Sequence, residues 1–584
     1  MPGGAVADST APVADCAPAY NGSADDFASL VGQSVHGLTV VSGTTPDTFH
    51  GTVLGVLDQS IDLSTPLIMM QLGVDGISDG STPTTADQTI TDDGVWEGMS
   101  GSPVYTADGQ LIGAVSTGLA NGKSDIIGIT PATAMLPYLP GHKAASSQTA
   151  ASWAHPNSAM RHQLAQVTGI SPVRAAQGLR PLSDLTERGL GAAALRHAQS
   201  AAKVKGVHKA MSTGQIAGMT AAAKAPVDSM IAGSNVADMV VWGDYAEGGI
   251  GTVTTVCTNH GVTGLVAFGH PLNGTGAAND VLMSASAVYV QPDPLGVAFK
   301  AANLGVPAGT ISKDYDSAIG GTFGATPAGT TTFSHTASYD GGKPRTSVSY
   351  SADPNYWIDA AYYAADANDY TQMKAWMKGG AVVSFKIAGT DRNGKPFTLR
   401  HTDRYVSPTS IADDSLVDMG NFVYALSSMP GVHLTSVTSN SKLDDVSTGV
   451  RLAGVEQFVG GVWRKVDASR PAFAWPGRTL TLRAVTVDPL GKISHLPITV
   501  AVPASVKGGH GAIELVGGNS QDIPIWNVNS VATAEQALTG IPRNDQVSVR
   551  STFMKDKVHV SHVKNTRIGT RVVSGSQVVA VQVY

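Results

Sequence analysis

The chain of 584 residues carries 38 Lys and Arg against 45 Asp and Glu, a net charge of −7, and charged residues make up only 14% of it. So sparse a charge excludes charge-driven disorder and a nucleic-acid binder that works through a dense basic face. Gly (66) and Pro (31) together supply about one residue in six, with 42% of the chain apolar and 6% aromatic, which points to a turn-rich, mostly β protein of several domains.

Residues 1–29 form an Ala/Pro/Ser/Asp arm resembling the spacer that follows a removed export signal. Over 30–141, short β-prone runs (Leu38–Ser42, Phe49–Leu57, Leu67–Leu72, Pro103–Tyr105, Leu111–Ser116, Ile126–Ile129) are parted by Gly, Pro and Asp turns with no helix between, which predicts a barrel or sandwich. Residues 142–228 turn Ala-rich, as in Ala193–Val204 and Gly214–Ala225, and read as a helical or flexible insertion. The β pattern resumes over 229–345, with a hairpin around Thr258–Gly261. Residues 346–432 combine an aromatic-bearing helix, Trp357–Met377, with a hairpin, Ala381–His401, turning at Asp391–Gly394. Residues 433–517 alternate as an immunoglobulin-like sandwich does, and 518–584 read as a small α/β segment with a helix at Ala532–Leu538. No apolar run reaches the ~18 residues that predict a membrane-spanning helix, so no integral membrane segment is expected.

Only Cys16 and Cys257 are present, which excludes a disulfide framework, an iron–sulfur cluster and a Cys-rich zinc site. They are either one bridge from the arm to the later sheet or two unrelated thiols. The stretch richest in chemistry is Gly98–Met99–Ser100–Gly101–Ser102–Pro103. Glycines on both sides of a serine let the backbone turn tightly and aim amides at one point, so the Gly98 and Ser100 amides are candidate oxyanion donors beside a Ser100 nucleophile, with Ser102 structural. Such a hexapeptide is equally an ordinary tight turn.

Its surroundings weigh on that choice. Thr39–Val40–Val41–Ser42–Gly43, the run Phe49–Leu57, the Gly98–Pro103 motif and Gly128–Ile129–Thr130–Pro131 resemble the SpoIVB-type (S55) serine peptidases. So do Trp242–Gly243–Asp244, Gly251–Thr252–Val253–Thr254, Ala267–Phe268–Gly269–His270–Pro271 and Gly309–Thr310–Ile311 to Asp314 and Gly320. The resemblance covers roughly residues 30–140 and 235–325. It implies a trypsin-like double β-barrel and a Ser/His/Asp triad, with Ser100 as nucleophile and His270 as general base. The family's acid lies shortly before the serine motif, which points to Asp87, with Asp92 and Asp93 close by and Asp280 a rival near His270. The halves run in permuted order, Ser100 preceding His270, and no PDZ segment is evident.

Met99 cannot form the aspartate switch of trypsin-like zymogens. His36, His50 and His260 read as strand, surface or turn residues, and neither metal nor cofactor is expected. The function implied is an exported serine endopeptidase, secreted or on the cell envelope of a bacterium. It would act on proteins or peptides, with the C-terminal β domains meeting a cell-wall or surface partner. The alternative is a trypsin-like scaffold without activity that binds or builds.

Overall fold

A computed structural model describes residues 12, 14–58, 65–141, 158–182, 186–188, 225–293, 296–446, 449–521, 523–540, 542–556, 558–567 and 571–584. Strand makes up 49% and helix 19%. The helices expected at Ala193–Val204 and Gly214–Ala225 lie outside the described residues, apart from Ala225. Two compact units emerge, Met1–Thr330 with Tyr350–Tyr356, and Thr331–Ser349 with Trp357–Tyr584.

The first unit is built from strands β1 (Ser34–Thr39), β2 (Asp47–Leu57), β3 (Leu67–Leu72), β4 (Trp96–Glu97), β5 (Pro103–Tyr105), β6 (Leu111–Leu119), β7 (Ile126–Pro131), β8 (Leu179–Pro181) and β9 (Thr186–Arg188). It continues with β10 (Asn235–Gly243), β11 (Ala246–Asn259), β12 (Val262–Ala267), β13 (Gly276–Gln291), β14 (Ala298–Tyr315) and β15 (Ala318–Phe323). Along β2 every second residue is buried, Phe49, Gly51, Val53, Gly55 and Leu57, the period of a strand with one face on a core. Antiparallel pairing runs β1–β2–β3–β7–β6–β5 and returns to β1, closing a six-stranded barrel. Phe49, Val53, Ile68, Met70, Val104, Ile112, Val115 and Ile129 fill it.

A second ring closes in the same way, β10–β11–β12–β15–β14–β13 and back to β10. Its interior holds Val236, Val253, Leu265, Phe268, Leu282, Ile311 and Ile319. Counting only ring strands, both barrels follow the order 1-2-3-6-5-4. A disulfide between Cys16 and Cys257 ties the N-terminal arm to β11 and resolves the cysteine alternatives in favour of a bridge.

One expectation for the first barrel fails. A helix, Thr85–Asp93, interrupts its strands, started by a capping box in which Thr84 and Asp87 satisfy each other's backbone amides.

In the second unit, strands Pro396–Ser407, Gly379–Thr390, His433–Asp444 and Thr331–Tyr339 lie side by side in that order, the last pair parallel. The expected aromatic helix is a π-helical turn, Asp359–Tyr363, running into an α-helix that ends at Met373, where Lys374 takes a left-handed conformation. Beyond Gly449 two five-stranded sheets share one apolar core, including Leu452, Leu482, Ile498, Ile513, Val549 and Val581. This two-sheet body differs in extent from the span read in the sequence. His433–Asp444 pairs with Gly379–Thr390 instead, while Gln546–Lys555, Val558–Arg567 and Ser576–Val583 join His510–Gly517. Among the described residues no helix is long and apolar enough to cross a membrane.

Candidate active site at the meeting of two barrels

Ser100 sits in the loop between the third and fourth ring strands of the first barrel. Gly98 and Gly101 have φ of +91° and +90°, the left-handed region that favours glycine. At Gly101 there is also no space, since a Cβ would stand 1.9 Å from the Thr252 carbonyl oxygen and 2.5 Å from the Phe268 nitrogen. The loop is bolted to β11 of the second barrel. The Thr252 amide donates to the Ser100 carbonyl (2.7 Å), the Thr252 hydroxyl to the Gly98 carbonyl (3.0 Å) and the Thr254 hydroxyl to the Gly101 carbonyl (2.8 Å). The Ser102 hydroxyl closes the turn on the Met99 carbonyl at 2.6 Å.

His270 stands at the equivalent point of the second barrel, between its third and fourth ring strands. Positive φ at Phe268 (+69°) and Gly269 (+71°) turns the chain there, and the Thr130 hydroxyl of the first barrel donates to the Gly269 carbonyl at 2.6 Å. The imidazole is fully buried. Its Nδ1 lies 2.7 Å from the Pro271 carbonyl oxygen, an acceptor, so Nδ1 carries the proton and Nε2 the lone pair. Burial pulls the ring's pKa down to about 4, against the smaller upward effect of that carbonyl.

Among the described residues Ser100 Oγ and His270 Nε2 are buried without a hydrogen-bond partner. One is a hydroxyl and the other an imidazole nitrogen free to accept. No hydrogen bond joins them in this structure, although the Gly101 backbone abuts Phe268 and a Cβ on Gly269 would lie 3.1 Å from Ser116 Cβ. Lys300, also buried, runs beneath Gly98; its amine donates to Asn235 Oδ1 at 2.8 Å, and burial lowers its pKa to about 7.

The Gly98 amide donates to the carbonyl oxygen of Leu182 at 2.7 Å. The Met99, Gly101 and Ser102 amides bond within the fold, whereas the Ser100 amide has no acceptor among the described residues. Of these amides only that of Ser100 lacks an acceptor among the described residues, while that of Gly98 is engaged by the Leu182 carbonyl.

The acids are placed differently from the sequence expectation. Asp87 lies on the Thr85–Asp93 helix and accepts from the Thr84 amide (2.9 Å), the His50 amide (2.8 Å) and His50 Nδ1 (2.7 Å). Its carboxylate is committed to the helix cap and to His50, and the structure does not bring it to His270. The Thr84-x-x-Asp87 spacing was the signal for that cap. Asp92 and Asp93 end the same helix, and burial with the Asp92 charge raises Asp93. Asp280 points into the second barrel beside Asp238. Burial drives both carboxyls well above the usual range, reinforced for Asp238 by the Asp280 charge and for Asp280 by Asp353. No carboxylate hydrogen-bonds to His270 among the described residues.

Sequence reasoning passed over Asp314 as an acid. At the end of β14 it accepts from the amides of Leu272, Asn273 and Gly274, each at 2.8 Å, and so fixes the turn that follows His270. Burial nonetheless raises its pKa, with these amides opposing. Of the other histidines, His36 and His50 face each other across β1 and β2, and His260 occupies the β11–β12 turn at φ +48°.

A second Ser–His–Asp chain exists in the other unit. His335 Nδ1 lies 2.7 Å from Ser439 Oγ and Nε2 lies 2.8 Å from Asp369 Oδ1. Its serine is in mid-strand, directly paired with the histidine, and the cavity beside it is only about 10 Å³. With no room for a substrate, this chain works as a core polar network. Among the described residues no group of three or more His, Cys, Asp or Glu could hold a metal ion.

No family model, curated protein or solved structure matches this chain.

Proposed function

We propose that the chain is an exported serine endopeptidase of the SpoIVB/S55 type on a trypsin-like pair of barrels. The observation that carries the reading is positional. Ser100 and His270 occupy the same point of two barrels with the same strand order, and their loops interlock with one unpartnered hydroxyl and one unpartnered imidazole nitrogen. In this reading Ser100 Oγ attacks a peptide carbonyl while His270 Nε2 takes its proton. The Gly98 and Ser100 amides receive the oxyanion, and His270 returns the proton to the departing amine. Water then repeats the sequence on the acyl-enzyme. The Pro271 carbonyl holds the Nδ1 tautomer, and Asp314 positions the turn behind the ring, the part first read into Asp87.

The Cys16–Cys257 bridge supports an oxidising compartment outside the cytosol. The C-terminal body supports a surface partner through an open groove of about 860 Å³ lined by Gln457, Phe458, Trp463, Phe473, Trp475 and Arg478. The scaffold reading draws on one observation, that among the described residues no carboxylate hydrogen-bonds to His270.

A fluorophosphonate probe separates the two. Slow labelling of the wild type that disappears in Ser100→Ala and in His270→Ala is the expected result. A folded chain in which labelling survives Ser100→Ala, or in which no form labels at all, would overturn the peptidase reading.

A further inference from the structure

A three-residue strand and the leucine after it lie where a peptide substrate would lie. Strand β8 pairs antiparallel with β6, Leu179 opposite Leu119, Arg180 opposite Gly118 and Pro181 opposite Thr117. The Leu182 amide then donates to the Ser116 carbonyl at 3.0 Å. An ordinary edge strand would go on pairing with its neighbour. Here the Leu182 carbonyl leaves the sheet and accepts from the Gly98 amide at 2.7 Å, in the loop that carries Ser100.

An acyl-transfer site needs its substrate extended along a strand edge with the reacting carbonyl on the oxyanion donors. Residues 179–182 meet both conditions. The side chains add subsites. Leu182 is fully buried in the cluster with Val95, Trp96 and Met99, and Gly118 leaves it room, since a Cβ there would stand 3.0 Å from Leu182 Cδ2. Arg180 forms an ion pair with Glu97, one residue before Gly98.

Resting on the peptidase reading, we infer that Leu179–Leu182 is a tethered, substrate-like occupant of the acyl-binding groove. The groove accordingly takes extended peptides with a leucine-like apolar residue at the reacting carbonyl and a basic residue two positions earlier. Leu182 fills the apolar subsite, Glu97 receives the basic side chain, and the strap slows access to Ser100 from outside.

The test uses the full chain with Leu182→Asp, which puts a charge in the apolar subsite and expels the strap, and Arg180→Ala, which removes its ion pair and keeps the test alive if the first variant does not fold. Three readouts are taken: fluorophosphonate labelling rate, hydrolysis of acetyl-Leu-Arg-Pro-Leu-aminomethylcoumarin against its counterpart ending in Asp, and binding of fluorescent acetyl-Leu-Arg-Pro-Leu-amide. Labelling of the variants at least about ten-fold faster than wild type is expected, equivalent to ~1.4 kcal/mol of strap docking removed. Cleavage only of the Leu-terminated peptide, and peptide binding to the variants above wild type, are also expected. Equal labelling and equal peptide binding in all three proteins would overturn the inference while the peptidase reading stands. Peptide binding confined to the variants with no labelling anywhere would keep the occupied groove and remove the peptidase. Neither binding nor labelling would remove both.

Discussion

At His270, burial and one carbonyl decide the chemistry. A ring that stays neutral down to about pH 4, as the proposed role of a base requires, has a thermodynamic signature. In the unfolded chain the same imidazole titrates near ~6.5. Between those values the unfolded state binds a proton that the folded state refuses, so stability falls as pH drops from 6.5 to 4 and is unaffected above 6.5. The loss reaches on the order of 3 kcal/mol. Asp238 and Asp280 act in the opposite sense, because burial makes their folded forms hold protons longer. The His270 contribution is therefore read as a difference. Urea unfolding of wild type and His270→Gln at pH 7.5 and 4.5 is expected to show the variant losing less stability on acidification. Equal losses would mean that the ring is hydrated and titrates normally. The acid limb of fluorophosphonate labelling is expected to follow the same group, with its midpoint well under 6.5.

Among elements, β11 does more than close its barrel, because Thr252 and Thr254 reach across to the loop that carries Ser100. Thr252→Val keeps the shape of the side chain and deletes the hydroxyl on the Gly98 carbonyl, at a buried site. Leaving that acceptor unmet costs about 1–2 kcal/mol and loosens the turn at Gly98. Urea denaturation is expected to show that loss together with slower Ser100 labelling. Thr258→Val, at the exposed end of the same strand, is expected to change stability by no more than ~0.5 kcal/mol. Loss of stability without slower labelling would make the threonine a packing residue only. Strand-scale features were the legible part of the sequence. Alternation marked Phe49–Leu57 and Thr479–Val487, and the paired glycines marked the tight turn at 98–101. Other features escaped because their cause is distant in the chain. Asp87 was pointed to only by the family resemblance, and its carboxylate is taken up by a local cap and by His50. Leu179–Leu182 has no periodicity of its own and was absorbed into an Ala-rich insertion; its conformation comes from β6 and Gly98. The strands after Gln546 read as a separate segment because pairing with His510–Gly517 leaves no trace in local pattern.

Across the first unit, Ser100 and His270 are held near one another only while two barrels distant in sequence stay joined. Among the links that span the join are threonine hydroxyls on the Ser100 loop, Thr130 on Gly269, and the apolar cluster of Ala114, Met135, Tyr138, Leu139, Val266 and Ala318. The Cys16–Cys257 bridge adds another. Asp15 beside it accepts from the Val256 amide at 2.8 Å and the Ala232 amide at 2.7 Å, so the arm is stitched to the second barrel on both sides of the disulfide. The arm also reaches the first barrel, where the Tyr20 amide donates to the Leu111 carbonyl at 2.9 Å and the Leu111 amide to the Pro18 carbonyl at 2.9 Å. One short segment thus clamps both halves. Closing a loop with a sequence separation of 241 restricts the unfolded chain, a contribution of about 5 kcal/mol in the chain-entropy account. Reduction is expected to lower the unfolding midpoint and, at concentrations of denaturant that spare the oxidised protein, to abolish Ser100 labelling, because the barrels part before either unfolds. Near-ultraviolet circular dichroism and probe labelling followed together along one urea titration check this. If labelling and the near-ultraviolet signal are lost together in the reduced protein, as in the oxidised one, the bridge stabilises the fold as a whole and the clamp has no separate bearing on the site.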